Sequence, residues 1–160
     1  MEEIIELKQS IISHDWEKSL AIIEELEAMG RQDKINNLQI LVILLIHLIK
    51  IQAEKRVTKS WRNSIVNSLL EIQKRNHLGK KSHYIKQNDW EDSFQQSLPV
   101  ALIKACEEVF VGIDLDELVG LIDQQMLKDK AFELLNETYK SDPLQIFNLV
   151  KNNFEITAIN

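Results

Sequence analysis

The sequence predicts an all-α fold, an antiparallel helical bundle of six to seven helices with a long buried third helix. Apolar residues recur three and four positions apart along most of the 160-residue chain, which is the period of an amphipathic helix. Only four glycines and two prolines occur, whereas strands joined by tight turns would need more of both. A chain of this length can bury a core as one domain, so residues 1–160 are expected to form a single all-α domain.

Capping residues divide the first part of the chain into three predicted helices. The first covers about residues 2–13, and Asp15 is the expected N-cap of the second because its carboxylate can accept from free backbone amides. Gly30 is the expected stop of the second helix. The third covers about residues 33–56, with Asp33 as its cap. Apart from one narrow polar stripe it is almost entirely Leu, Ile and Val, so it is predicted to be buried.

Caps and a proline define the next helices. Thr58 or Ser60 opens a fourth helix that ends near residue 76, before a polar connection. One apolar stripe then runs through residues 90–109 and crosses Pro99. Because a proline inside a helix costs about 3 kcal/mol, a break is expected there, with Pro99 as the first residue of a new helix.

Three C-terminal helices complete the predicted bundle. Asp114 and Glu117 match the capping-box pattern at the start of the first one. The second contains the apolar positions of segment 131–139. The third begins at Asp142 and Pro143, an N-cap followed by a first-turn proline.

The chain carries none of the expected marks of export or membrane insertion. Its first ten residues, MEEIIELKQS, are acidic and amphipathic, whereas a secretory signal begins with a basic segment. The longest uninterrupted apolar run, residues 40–46, is much shorter than the roughly 20 residues that span a bilayer. The single Cys106 cannot form an internal disulfide, which suits a reducing compartment. We therefore expect a cytoplasmic protein that does not span a membrane.

Charge is distributed unevenly along the chain. Residues 1–30 carry eight acids and two bases, residues 31–81 carry three acids and eleven bases, and residues 82–160 carry fourteen acids and six bases. A basic middle therefore lies between two acidic flanks, although the whole chain has a net charge of −6.

The basic middle supports two interpretations. In the first, the acidic flanks fold against it, as oppositely charged neighbours in a bundle would. In the second, it binds nucleic acid or another anion through segment 50–81, where Lys55, Arg56, Lys59 and Arg62 are the candidate interaction surface. The net negative charge opposes DNA binding and favours the first interpretation.

Several residues on predicted inner faces are interpreted as structural. An antiparallel pair of helices joined near Arg31 would bury Glu27, and a buried carboxylate needs hydrogen-bond donors. The same pairing would place His47 beside Trp16, too far from Glu27 to share a metal or a proton with it. The candidate structural polar positions are Glu24, Glu27, Arg31, His47, Lys50 and Trp61.

No catalytic, cofactor or metal motif is present. The Glu-x-x-His pattern of di-iron bundles does not occur, and neither does the Gly-x-Ser-x-Gly or the P-loop pattern. The sequence therefore predicts no catalytic residue, no cofactor and no metal ligand.

Three segments of the chain resemble one known family. They are Glu-Glu-Leu-Glu-Ala-Met-Gly-Arg at residues 24–31, Leu-Leu-Ile-His-Leu-Ile-Lys at residues 44–50, and Ser-Trp-Arg at residues 60–62, followed by Ile65. In this order and spacing they resemble an uncharacterised, mainly cyanobacterial family of bacterial proteins catalogued as domain of unknown function 29. The resemblance covers residues 15–76 well and runs more loosely to about Val111, whereas the C-terminal helices of residues 112–160 depart from the pattern. It implies an α-helical fold and assigns no catalytic residue.

Three functional hypotheses follow. The first is a non-enzymatic helical module that binds a protein partner or associates with itself as a homo-oligomeric adaptor. The second is binding of nucleic acid or another anion by the basic segment. The third is an enzyme whose site is assembled across helices without a recognisable motif.

Overall fold

The structure, a computed structural model, describes residues 2–76 and 85–158, without the side chains of residues 33 and 34. No β-strand occurs in this part of the chain, and the predicted all-α fold is confirmed. The predicted cap Asp33 and the polar connection with Lys80 and Lys81 lie outside the described side chains. The seven α-helices are α1 (Glu2–Ile12), α2 (Trp16–Glu54), α3 (Lys59–Asn76), α4 (Trp90–Cys106), α5 (Leu115–Leu121), α6 (Gln124–Lys140) and α7 (Pro143–Asn153).

The chain forms two compact units, residues 1–36 and residues 37–160. In the first unit, α1 packs against the first part of α2, and we call this pair the N-terminal hairpin (α1 with residues 16–36). The hydroxyl groups of Ser10 and Ser19, both buried, are 2.8 Å apart between the two helices. Asp15 accepts a hydrogen bond from the Lys18 amide at 3.2 Å, which confirms the predicted cap.

The second unit has a continuous apolar core built around the C-terminal half of α2. Leu41, Leu44, Leu45 and Ile49 of this helix are 0% exposed, and they belong to one cluster with buried residues of all five later helices. The prediction of a long, buried helix is therefore confirmed for this half of α2.

The predicted stop at Gly30 is wrong, because α2 continues through it as one helix of 39 residues. A glycine inside a helix costs only about 1 kcal/mol relative to alanine. The residues before it, Glu-Glu-Leu-Glu-Ala-Met, are mostly strong helix formers, and no proline follows that would end the helix. The turn expected near Arg31 is absent, and with it the antiparallel helix pair that the turn would have produced.

The predicted break at Pro99 is also wrong, because Pro99 lies in the interior of α4. Proline lacks an N–H, so the carbonyl of Gln95 loses its usual donor four residues later. This cost is offset by a continuous buried stripe on the same helix, where Trp90, Phe94 and Ala105 are at most 2% exposed. A break would have divided that stripe.

Other predicted helix starts are confirmed, with one exception in detail. Thr58 caps α3 by accepting from the Trp61 amide at 3.1 Å, and Asp142 forms a capping box with Gln145. Asp114 is the N-cap of α5, but its side chain accepts no capping hydrogen bond, so the predicted box with Glu117 is not formed. Both side chains are exposed, where water can satisfy the first amides of the helix.

A buried polar network fixes the two ends of the segment between α3 and α4. The Asn76 amide group accepts from the Ile85 backbone N–H at 2.7 Å and donates to the Ile85 carbonyl at 3.0 Å. The Tyr139 hydroxyl donates to the same carbonyl and accepts from Trp90 Nε1 at 2.6 Å. Burial raises the pKa of Tyr139, so this hydroxyl keeps its proton at neutral pH.

Within the described residues, α2 has the length and composition of a membrane-spanning helix, with a window of mean hydropathy 1.6. The core helix of a soluble protein has the same features, so length and composition alone do not make α2 a membrane-spanning helix. Its apolar residues Leu41, Leu44 and Leu45 are fully enclosed by protein.

Candidate functional site

The connection between α2 and α3 carries most of the residues predicted as a site. α2 ends at Glu54, and Lys55 takes a left-handed conformation with φ of 54°. Thr157 and Ala158 pair with Val57, two positions after Lys55. The Val57 carbonyl accepts from the Thr157 and Ala158 amides, at 2.9 and 3.1 Å. The Val57 amide in turn donates to Thr157 Oγ1 at 2.7 Å. The C-terminal segment therefore holds this connection in place.

Trp61, in the first turn of α3, is the centre of a cluster of charged groups. It is 8% exposed, and two cations lie over its ring: Lys50 Nζ at 5.0 Å and Arg56 Cζ at 4.8 Å from the centroid. Each cation has an acidic partner, Glu108 Oε1 at 3.3 Å for Lys50 and Glu54 Oε1 at 2.9 Å for Arg56. We call these five residues the Trp61 cluster. Its charges balance, so it can close a corner of the fold without leaving a buried charge unpaired.

A strained loop between α4 and α5 is attached to this cluster. Phe110, Val111 and Gly112 have φ of 50°, 65° and 114°. A positive φ costs a residue other than glycine about 1–3 kcal/mol, so Phe110 and Val111 are strained. The second carboxylate oxygen of Glu54 accepts from the Phe110 amide at 3.3 Å. Glu54 therefore connects the α2–α3 connection to the loop.

His47 lies one helical turn before Lys50 on α2. Its Nδ1 is 2.9 Å from the Ile43 carbonyl, which can only accept, so Nδ1 carries the proton in the neutral ring. Burial lowers the pKa of His47. The hydrogen bond to Ile43 opposes this shift, the Lys50 ammonium adds to it, and the Glu108 carboxylate opposes it. At neutral pH the imidazole is therefore uncharged.

No group of three or more His, Cys, Asp or Glu side chains in the described ranges could hold a metal ion. A cavity of about 410 Å³ lies elsewhere in the second unit, with Trp90, Phe132 and Leu135 in its wall. Glu91, which also lines it, is paired with Lys128 Nζ at 2.5 Å. Among the described residues that line the cavity, no charged group is therefore free to meet a ligand.

A family model matches residues 2–132, under the description "Domain of unknown function DUF29". The chain belongs to this family. The match runs past Val111, where the resemblance in the sequence was expected to end, and reaches into α6. Neither the search of curated proteins nor that of solved structures found a match.

Two of the segments that carry the DUF29 resemblance meet in the Trp61 cluster. Residues 44–50 supply Lys50 from α2, with His47 one helical turn before it, and residues 60–62 supply Trp61 from α3. A structural role for His47, Lys50 and Trp61 is predicted from the sequence. Their contacts are those of a packed corner, although Glu108, their long-range partner, had no signal in the sequence.

The four bases of the predicted interaction surface have different environments. Arg56 forms an ion pair with Glu54 and lies over the Trp61 ring, and Arg62 is half-buried. Lys55 and Lys59 are exposed, and within the described residues neither forms an ion pair, nor does Arg62. The acidic C-terminal flank reaches the basic middle at Lys50, through Glu108.

In the N-terminal hairpin, the predicted inner-face assignment of Glu27 is wrong. Glu24, Glu27 and Arg31 are all exposed. The assignment depended on a turn at Gly30, and a continuous helix offers no second helix there to cover Glu27. Trp16 likewise does not lie beside His47 and instead makes an edge-on contact with His14, at 5.4 Å between ring centroids.

The hairpin also leaves large apolar side chains in solvent, although their helical spacing is typical of a face that packs against other helices. On α2, Trp16, Leu20 and Ile23 are 60%, 58% and 37% exposed, at the spacing of one helical stripe. On α1, Ile5 and Ile12 are 57% and 77% exposed. We call the three α2 residues the apolar stripe; Ile5 and Ile12 lie on the opposite side of α1 from Ser10, which contacts α2. The periodicity revealed the stripe, but it could not reveal that α1 would cover the neighbouring face of α2, at Ser19 and Ile22.

Proposed function

We propose that this DUF29 protein is a cytoplasmic, non-enzymatic helical interaction module that associates with itself through the N-terminal hairpin. The observation that carries the proposal is the apolar stripe, whose three side chains are between 37% and 60% exposed. Exposed apolar residues concentrated in one region of a protein often form an interaction site. A two-helix unit has no second layer to cover such a face, and a second copy supplies one in the form of a four-helix bundle.

The size of the stripe limits the affinity of a dimer. Its three members together expose the equivalent of about one and a half whole residues, or roughly 300 Å² per copy at the 150–250 Å² of a large side chain. Two copies would bury about 600 Å² through these side chains, so neighbouring residues of the hairpin must supply the rest of the roughly 1,000 Å² of a specific interface. We therefore expect a weak dimer that forms at high protein concentration.

The charge of the hairpin predicts how the dimer responds to salt. Eight acids and two bases in residues 1–30 make two hairpins repel each other. Added salt screens this repulsion but does not weaken apolar contacts, so the dimer should become tighter as salt increases. A basic partner protein on the same stripe would respond in the opposite way.

The test is the molar mass of the full chain by light scattering during size-exclusion chromatography, as a function of concentration. We expect twice the mass of one chain for the native protein and a single-chain mass for Leu20→Glu. The matched control is Leu144→Glu, the same change at a leucine of α7 that is 69% exposed, and it should remain dimeric. A native protein that stays monomeric at high concentration, or a dimer that Leu20→Glu leaves intact, would refute self-association through the hairpin.

A second candidate function is anion binding, which Lys55 and Lys59 favour because both are exposed and neither has an ion-pair partner in the part of the chain that the structure describes. If these two bases and Arg62 each neutralise one phosphate, affinity for duplex DNA should fall with salt at a log–log slope of about −3. Because the whole chain has a net charge of −6, we expect negligible binding at physiological salt. Salt-sensitive binding that is lost in a folded Lys55→Gln, Lys59→Gln, Arg62→Gln variant would establish this alternative.

A further inference from the structure

A groove between α4 and α5 forms a second apolar surface, in the unit of residues 37–160. It has a volume of about 340 Å³ and is open to solvent along one side. Ile103, Leu115 and Val119 in its wall are 52%, 39% and 39% exposed. The residues that line it are Gln95, Leu98, Pro99, Leu102, Ile103, Leu115, Val119 and Gln124.

Pro99 changes the backbone of α4 where this helix lines the groove. It lies in the interior of α4 and has no N–H, so the Gln95 carbonyl lacks the donor that an unbroken helix would supply. Gln95, Pro99 and Gln124 all line the groove. An occupant therefore meets apolar walls together with a few polar groups that can fix its orientation.

The charge around the groove indicates the sign of its occupant. Asp114 and Asp116 are the chain neighbours of Leu115 in its wall, and Asp123 precedes Gln124, whereas Lys104 after Ile103 is the one base next to a residue of the lining. Glu107, Asp114, Asp116 and Glu117 are exposed, and within the described residues none of them forms an ion pair. Such a border attracts cationic groups and repels an acidic surface, including the acidic hairpin of a second copy.

We propose that the α4–α5 groove binds a basic amphipathic helix of another protein, with the apolar side chains of that helix in the groove and its Lys or Arg residues against the acidic border. An amphipathic helix in an apolar groove is a common mode of peptide recognition, and its anchors recur three and four residues apart. This site is independent of self-association through the hairpin. A dimer with one groove per copy would present two such sites.

The test uses the full chain and two synthetic helical peptides with leucines at helical spacing, one with lysines at the other positions and one with glutamates. Binding is measured by fluorescence anisotropy of labelled peptide across a range of salt. We expect the lysine peptide to bind, to weaken as salt increases, and to bind at least about tenfold tighter than the glutamate peptide. Equal affinity for the two peptides, or no binding of the lysine peptide, would overturn the proposal.

Substitutions in the groove and on its border test whether the lysine peptide binds there. Val119→Lys adds a cation to the wall and should reduce affinity for the lysine peptide by about tenfold or more, whereas Leu144→Lys on α7 should not. Asp116→Asn with Glu117→Gln should reduce both the affinity and its dependence on salt. If Val119→Lys binds like the native chain, the lysine peptide is held by the general acidity of the protein and the proposal is wrong. It is also wrong if Val119→Lys changes the molar mass of the protein, because the groove would then be a contact between copies.

Discussion

The two halves of helix α2 differ in what surrounds their apolar residues. Between residues 41 and 53 most of the large apolar side chains are enclosed, and Leu41, Leu44 and Leu45 are 0% exposed, although Ile43 on the outer face is 45% exposed. Between residues 16 and 23, Trp16 and Leu20 are more than half exposed. Both segments have helical apolar periodicity, so periodicity alone does not separate a core helix from a helix that offers its apolar face to a partner. The difference lies in how many other helices pack around each segment.

This contrast also separates two kinds of stability. The second unit is held by a core shared among six helices and by a polar network whose groups are paired. The hairpin is held by one helix pair, with a buried contact between two serines. Short helices in isolation are marginal in water, so the hairpin should open more readily than the core until its stripe is covered.

The largest difference is expected between matched leucine truncations in the two halves of α2. Leu45→Ala removes a side chain that is 0% exposed and should lower the free energy of unfolding by about 2–5 kcal/mol. Leu20→Ala removes one that is 58% exposed and should cost less than about 1 kcal/mol in the dilute protein. Chemical denaturation at low concentration measures both. Similar costs for the two variants would contradict the assignment of Leu20 to the surface.

The next largest effect concerns hydrogen bonds. Asn76→Ala leaves both the N–H and the carbonyl of Ile85 without this side chain and should cost about 1–3 kcal/mol. The control is Gln32→Ala in the hairpin, which removes an exposed hydrogen bond to Asn36 and should change stability by less than about 0.5 kcal/mol. If the denaturation midpoints of the two variants coincide, the Asn76 network does not stabilise the second unit.

A smaller effect is expected from His47, through pH. Its pKa in the folded chain is lowered by burial, so the unfolded chain binds a proton more readily than the folded one. The stability that the neutral imidazole contributes is present above the unfolded pKa of about 6.5 and is lost as pH falls through that value towards the folded pKa. His47→Gln should flatten the loss, measured as the denaturation midpoint between pH 8 and pH 5. An identical slope in the native and variant proteins would show that other groups control it.

The smallest effects belong to two acids of the hairpin. Glu25 and Glu27 are both exposed, so Glu25→Ala and Glu27→Ala should each change the free energy of unfolding by less than about 0.5 kcal/mol. Thermal denaturation of the two variants side by side measures the difference. A clearly larger loss of stability for Glu27→Ala than for Glu25→Ala would mean that Glu27 has a buried partner. The packing of α1 against α2 would then not account for all the contacts of the hairpin.

The features predicted correctly are those that neighbouring residues determine. Asp15, Thr58 and Asp142 act on amides three residues away, so their caps can be recognised in the sequence. Gly30 and Pro99 were interpreted by the same local rules, and both failed, because a helix continues where the residues around the weak position favour it. For Pro99 the reason is a buried stripe on both of its sides.

The candidate site shows the same limit. A structural role for Lys50 and Trp61 is predicted from their positions on apolar helices, whereas the density of positive charge places Arg56 in the candidate interaction surface. Their acidic partner Glu108 is 58 residues away from Lys50 and could not be identified without the fold. The left-handed conformations of Phe110 and Val111 could not be predicted from the sequence either, because neither residue type favours that conformation.

The most direct test of self-association through the hairpin is amide hydrogen exchange of the native chain at two concentrations, one well below and one well above the dimer dissociation constant. Dimerisation should slow exchange in peptides that cover residues 16–30, because a second copy covers the apolar stripe and suppresses local opening. Peptides that cover residues 41–53 should stay protected at both concentrations over the same labelling time. If the exchange of residues 16–30 does not change with concentration, or if another segment alone becomes protected, the hairpin is not the surface through which two copies meet.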